Sequence, residues 1–477
     1  MAREPAPGAS ANHGAGLIRG LNVWHATSIV AGTIIGSGIF LVPAEMMQDA
    51  GSAKLVYLAW VVGAALSLFG VLTYAELGAV RPYAGGEYVY IRDAYGPLPA
   101  FLYGWTWFLI GKPASIATVT AGLVRVLQTF PAFSFLPHTL FVWHVTSSRV
   151  FAINYGHLVA IGAIVLITLV NYLGVRRAGD FQFVFTVLKI GLIVGIALLA
   201  LTATSGSWSN FHTGFGGAKG GMTGFMAALV AALWAYDGWN DLNMVSEEIK
   251  RPEKTIPIAL IAGVSVVAIL YMGMNAGIQR MLTATAIAHA KVPAAAASEM
   301  VLGTLGVSLV SIGMVISMLA TLNGTVMSGG RVPFAVARDG YFFRALGEVH
   351  PRFHTPALAL VIQAAVSMIL VLVGGAFKEL FSLAIFSEWL FYALAASTIF
   401  VFRRREASSP GLYRMIGYPV VPALFVATAA VLLCYTFASN VRDSIGGLIV
   451  ILLGVPVYFW FAQRRKGEAA ASRPRLG

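Results

Sequence analysis

Along its 477 residues the chain carries twelve apolar stretches, near 23–48, 55–79, 98–126, 152–173, 181–203, 221–246, 257–280, 304–328, 356–374, 379–402, 419–439 and 445–463. Each is close to the roughly 20 residues that an α-helix needs to cross the hydrocarbon core of a bilayer. In lipid every backbone N–H and C=O must be satisfied within the protein, so stretches of this kind fold as helices. The chain is 58% hydrophobic and 11% charged, where a soluble domain is about 25% charged. A surface so poor in charge cannot face water on all sides, and the lipid bilayer is the expected solvent. The sequence therefore predicts an all-α integral membrane protein with twelve transmembrane helices. One domain covers 23–463, between tails at 1–22 and 464–477.

An even number of spans puts both termini on one side. If that side is the cytoplasm, its loops hold 22 of the 32 lysines and arginines, including Arg403, Arg404 and Arg405, and the opposite loops hold six. Basic residues are retained in cytoplasmic loops, so this asymmetry predicts cytoplasmic termini in a cytoplasmic (inner) membrane. It also accounts for the net charge of +12 without a nucleic-acid partner. The single cysteine, Cys434, excludes an intramolecular disulfide. Met1 to Gly20 lacks a short apolar core with a cleavage site, so the first helix is expected to be retained. The connection 329–355 contains RVPFAVARDGYFFRALGEVHPRF, which reads as a helix lying at the membrane surface.

Two of the helices carry the marks of interruption. The first has Gly36-Ser37-Gly38 at its centre, and glycine inside a helix costs about 1 kcal/mol against alanine. Close packing through small residues would explain that segment alone. The sixth carries Asp237, Gly238, Asn240 and Asp241 deep in an apolar run. Aspartate within a membrane is costly and faces a cavity or a partner, unless it is merely interfacial. The two helices head blocks of opposite topology, about 23–203 and 221–402, and corresponding interrupted helices in inverted repeats point to a transporter's binding site. Half-helix N-termini suit a carboxylate and half-helix C-termini suit an ammonium, so a zwitterionic amino acid matches both.

The residues also match a known family. GTIIGSGIF, TYAELGAVRPYAGGEYVYIRDAYGPLPAFLYGW, AYDGWNDLNMVSEEIKRPEKTIP and LNGTVMSGGRVPFAVARDG occur in that order over nearly the whole chain. In these stretches it resembles the amino acid–polyamine–organocation superfamily, specifically bacterial relatives of the L-type amino-acid transporter light chains. The resemblance implies the five-plus-five inverted-repeat (LeuT-like) fold, with two extra helices at 419–463, and amino-acid transport. It implies a substrate site at Thr33, Ile34, Ile35, Gly36, Ser37, Gly38 and Ile39 of the first helix and at Trp234, Ala235, Asp237, Gly238 and Asn240 of the sixth. Trp234 stands where the family has an aromatic gate. Lys189 resembles the lysine whose ammonium takes the place of a sodium ion between helices one, five and eight. The animal light chains bond a heavy chain through a cysteine between helices three and four; that loop has none here, so no disulfide-linked heavy chain is expected.

Several charges lie within the apolar stretches. Lys189 is about nine residues into its helix, roughly 13 Å deep, which is far for a lysine to snorkel back to water. Glu388 is similarly deep in the tenth helix, where it either reads a cationic side chain, pairs with a lysine or is protonated. Lys112, before Pro113 in the third, reads as structural or functional alike. Glu76, Arg81, Glu247, Glu248, Arg331, Arg338 and Asp339 gather by topology at the cytoplasmic helix ends and suit a gate of ion pairs. The expected function is exchange of neutral L-amino acids, with lysine and arginine as additional candidates. A proton-coupled symporter or a polyamine carrier is the alternative, and an amino-acid sensor the third. No metal-ligand spacing, nucleophile motif or phosphate loop supports an enzyme or a cofactor.

Overall fold

The structure, a computed structural model, describes residues 16–146, 149–373, 377–405, 411–439 and 441–471. The outer parts of both expected tails, 1–15 and 472–477, lie outside the described residues, and Arg3, Arg473 and Arg475 of the orientation count lie there too.

The chain runs through α1 (Val23–Ile34), α2 (Gly38–Ala50), α3 (Ala53–Val80), α4 (Glu87–Tyr95), α5 (Pro97–Thr106) and α6 (Lys112–Leu127). A hairpin, β1 (Thr139–Thr146) and β2 (Arg149–Asn154), leads to α7 (Tyr155–Tyr172), α8 (Val175–Thr202), α9 (Gly221–Ala235), α10 (Asp241–Met244) and α11 (Pro252–Met281). Then come α12 (Ala284–His289), α13 (Pro293–Leu302), α14 (Thr304–Gly329), α15 (Arg331–Arg338), α16 (Ala357–Val373), α17 (Phe377–Arg405), α18 (Val420–Ser439) and α19 (Val441–Ala471). Counted across their interruptions, nine helices among the described residues are long and apolar enough to cross a membrane, and α9 and α16 are shorter apolar helices. The molecule is thus a multi-pass helical membrane protein. The antiparallel hairpin is absent from the all-helical expectation; TLFVWHVT supplies the β-branched and aromatic residues that favour a strand.

Local chemistry sets the breaks. Asn22 caps α1 by accepting from the His25 amide at 3.0 Å. The helix stops at Ile34, and α2 starts afresh at Gly38. A Cβ added at Gly38 would sit 3.4 Å from the Ala235 Cβ, so the glycine lets the two interrupted helices approach. After α9, Gly238 takes φ +106°, a conformation that L side chains rarely adopt. Between α5 and α6 the chain makes a π turn over Trp107–Gly111, a distortion that frequently marks functional sites.

α1 packs on α8, α11 and α14, and α2 packs on α9. Trp60, Tyr236 and Tyr271 form a buried aromatic cluster behind them, with ring centroids 5.2 to 5.5 Å apart and Trp60 edge-to-face on both tyrosines. The segment expected to lie on the membrane surface begins inside the protein. α15 follows α14 after Gly330 alone, and all its residues from Arg331 to Ala337 are buried. Arg331 at its start has a buried partner, whereas Arg338 at its end is exposed.

Candidate substrate site at two helix breaks

Where α1 stops, its last carbonyls need new donors, and three helices supply them. Lys189 of α8 donates through Nζ to Gly32 O at 2.6 Å and Ile35 O at 2.7 Å. Ser317 of α14 donates to Ile35 O at 2.6 Å, and Thr321 to Gly32 O at 3.2 Å. The Tyr271 hydroxyl of α11 lies 3.1 Å from Ile34 O and 3.0 Å from Ala235 O, so its one proton serves the end of α1 or of α9 at a time. Lys189 is fully buried and its ammonium ends on these carbonyls, so it does not snorkel to the surface.

Both breaks open onto one cavity of about 160 Å³. Thr33, Ile34, Gly36, Ser37 and Gly38 line it from the first break, and Trp234, Ala235, Asp237, Gly238 and Asn240 from the second, with Glu388 from α17. The structure thus brings together most of the residues singled out in the sequence. Ile35 and Ile39 are exceptions: their side chains are fully buried in the core and do not line the cavity. Ile35 contributes its carbonyl instead.

Sequence reasoning noted Lys112 and Asp241 but missed the rest of the third wall. Lys112, Ser115, Thr118 and Gly122 of α6 line the same cavity, as do Met318, Thr321 and Thr325 of α14 and Asp241. A signal existed, since Ser115, Thr118 and Gly122 fall at i, i+3 and i+7 and so share one helix face. Lys112 Nζ donates to Asp241 Oδ1, both groups being buried. The Tyr392 hydroxyl lies 2.8 Å from Asp237 Oδ1 and 3.3 Å from Glu388 Oε1. It has one proton and so serves one carboxyl at a time. Three carboxyls and one ammonium therefore face this space. Among the described residues, no three His, Cys, Asp or Glu side chains gather to hold a metal.

Trp234, Asp237 and Glu388 also line a second cavity, of about 420 Å³, together with Glu45 and Asp49 of α2. Trp234 is 41% exposed and forms a wall common to both spaces. Several of the charged side chains grouped in the sequence pair with one another. Arg331 forks onto Glu248 at 2.8 and 3.0 Å with both side chains fully buried. Arg338 meets Glu247 at 2.9 Å, and Arg92 meets Asp339 at 2.6 Å. Of the others grouped with these in the sequence, Glu76 pairs elsewhere, with Arg403 at 2.6 Å, while Arg81 joins the same network through Asp93, which is 3.0 Å from Arg81 and 2.8 Å from Arg92. Leu21 adds a strand-like bridge to Ile249.

The chain's likeness to known proteins agrees with this architecture. The family model described as amino acid permease matches residues 21–461. The serine/threonine exchanger of Bacillus subtilis is 32% identical over 453 residues, which is 94% of this chain and 98% of that protein. The human cystine/glutamate transporter is 31% identical, over 93% of this chain and 85% of its own length. The human b(0,+)-type amino acid transporter 1 is 30% identical, over 95% of this chain and 89% of its own. These relatives are transporters rather than enzymes, and the chain belongs to the amino acid permease family of the amino acid–polyamine–organocation superfamily.

Proposed function

We propose that this protein is a secondary active transporter that exchanges neutral L-amino acids across the cytoplasmic membrane by alternating access, with lysine and arginine as additional candidate substrates. The observation that carries the reading is the meeting of two interrupted helices at one cavity. The start of α2 at Ser37 and Gly38 is a partial positive pole suited to the substrate carboxylate, and the ends of α1 and α9 are partial negative poles suited to its ammonium. Trp234 acts as the lid between this cavity and the larger one, and Lys189 acts as a built-in cation that fixes the end of α1. The relatives named as exchangers and transporters of amino acids support the substrate class.

In this reading the chain crosses the membrane twelve times, as inverted repeats at about 23–203 and 221–402 followed by two further helices. The end carrying Arg331, Arg338 and both termini faces the cytoplasm, in accord with the excess of basic residues there. The cytoplasmic path is then closed by ion pairs, and the outer path leads past Glu45 and Asp49 to Trp234. No disulfide-linked heavy chain is required, because Cys434 belongs to α18 and not to the hairpin loop. The test is uptake of labelled neutral amino acids into proteoliposomes with and without unlabelled amino acid inside. Uptake that needs internal amino acid supports exchange. Uptake of polyamines with none of any amino acid would sink the proposal.

A further inference from the structure

Glu87 opens α4, outside the spanning helices, yet it is fully buried. Its Oε1 accepts from Asn240 Nδ2 at 2.7 Å and its Oε2 from the Tyr103 hydroxyl at 3.2 Å. Both donors are neutral. The titratable groups facing it are Tyr74 of α3, Tyr90 of α4, Tyr103 of α5, Lys112 of α6, Asp241 of α10 and Tyr392 of α17. The one cation among them, Lys112, already serves Asp241. Asn240 lines the substrate cavity and immediately precedes α10. A buried carboxyl with no cation of its own among the described residues is thus fastened to the helix break that, on the transport reading, alternating access must rearrange.

We propose that Glu87 is a proton-operated positioning residue, which holds Asn240 and the break between α9 and α10 when ionised and releases them when protonated. This rests on the transport reading given above. Burial pushes the Glu87 carboxyl up to about 7, with the Asn240 hydrogen bond and Lys112 drawing it down and Asp241 pushing it up. The group therefore changes charge near neutrality. A hydrogen bond to an ionised acceptor is roughly twice as strong as one between neutral groups. Loosening the Asn240 contact by that difference makes turnover about tenfold faster on the acid side of the transition than on the alkaline side.

The test uses the full chain in proteoliposomes held at equal pH on both faces, from pH 5.5 to 8.5, with the neutral L-amino acid it exchanges fastest. Wild-type exchange falls about tenfold as pH rises through about 7. Glu87→Gln stays at the fast level throughout. Tyr103→Phe removes a donor from the carboxylate and moves the fall to higher pH, which keeps the test alive if Glu87→Gln does not fold. In parallel, the carboxyl infrared band that distinguishes wild type from Glu87→Gln in detergent is titrated without any transport; it disappears through about 7. A flat wild-type profile, a Glu87→Gln or Tyr103→Phe profile like the wild type's, or a carboxyl band that does not titrate between pH 6 and 8 overturns the proposal. Absence of exchange at every pH, beside a band that titrates, faults the transport reading instead.

Discussion

Replacing Lys189 with methionine keeps most of the buried stem and removes the ammonium. What is lost is two short charge-assisted hydrogen bonds, to Gly32 O and Ile35 O. Such bonds contribute about 1.5–3 kcal/mol each, so the tie between α8 and the end of α1 weakens by roughly 3–6 kcal/mol. Folding does not suffer by that amount. Ser317 and Thr321 still donate to both carbonyls. In addition, among the described residues Lys189 has no carboxylate partner, so its removal relieves the several kcal/mol that an uncompensated buried ion costs. The expected variant is as stable as wild type or more so, and defective in transport. Even the lower figure, if expressed in the conformational step, is about a hundredfold in turnover or apparent affinity. The assay is exchange kinetics measured separately from each membrane face, beside a thermal melt in detergent. Wild-type kinetics on both faces, or a transport loss no larger than the loss of folded protein, would refute the reasoning.

The remaining predictions concern charge. If lysine and arginine compete with alanine for uptake in wild type and fail in Asp237→Asn or in Glu388→Gln, that acid reads the side-chain charge; if neither ever competes, both acids serve structure or coupling. Arg331→Met leaves Glu248 buried without its partner and should cost about 3–5 kcal/mol, read as a lower melting temperature; Arg331→Met with Glu248→Leu should regain most of it. Glu87 binds a proton more tightly folded than unfolded, so its burial costs nothing well below pH 4.5, costs more as pH rises towards about 7, and costs a constant amount above that. Glu87→Gln should therefore melt above wild type at pH 8, by up to about 3 kcal/mol of stability, and should lose that advantage at pH 4.5; an advantage that grows on acidification would contradict the sign.

How much of this was legible in the sequence depends on whether the signal was local. The apolar stretches gave the helices to within a few residues, because lipid leaves the backbone few alternatives. α19 runs on to Ala471, past the expected end at 463, since helix continues into its polar tail. Gly36, Gly38 and Gly238 marked both breaks correctly, because glycine in a membrane helix has to be explained by something close to it. The other half of the site was not local. That Tyr271 would reach both Ile34 O and Ala235 O, or that Lys112 would cross to Asp241, depends on how four helices pack, and no spacing within one segment encodes it. Glu87 escaped notice for a related reason. It lies in a charged loop stretch and reads as solvated until packing buries it completely.

The most direct measurement of the central claim is the ratio of fluxes in one vesicle population. Proteoliposomes are loaded with an amino acid carrying one label and placed in the same amino acid carrying another, with no pH gradient, and influx and efflux are counted together. An exchanger working at the two helix breaks gives equal influx and efflux, with both falling to background when either side is emptied of amino acid. Influx that continues into empty vesicles, or that depends on an imposed pH gradient, would contradict it.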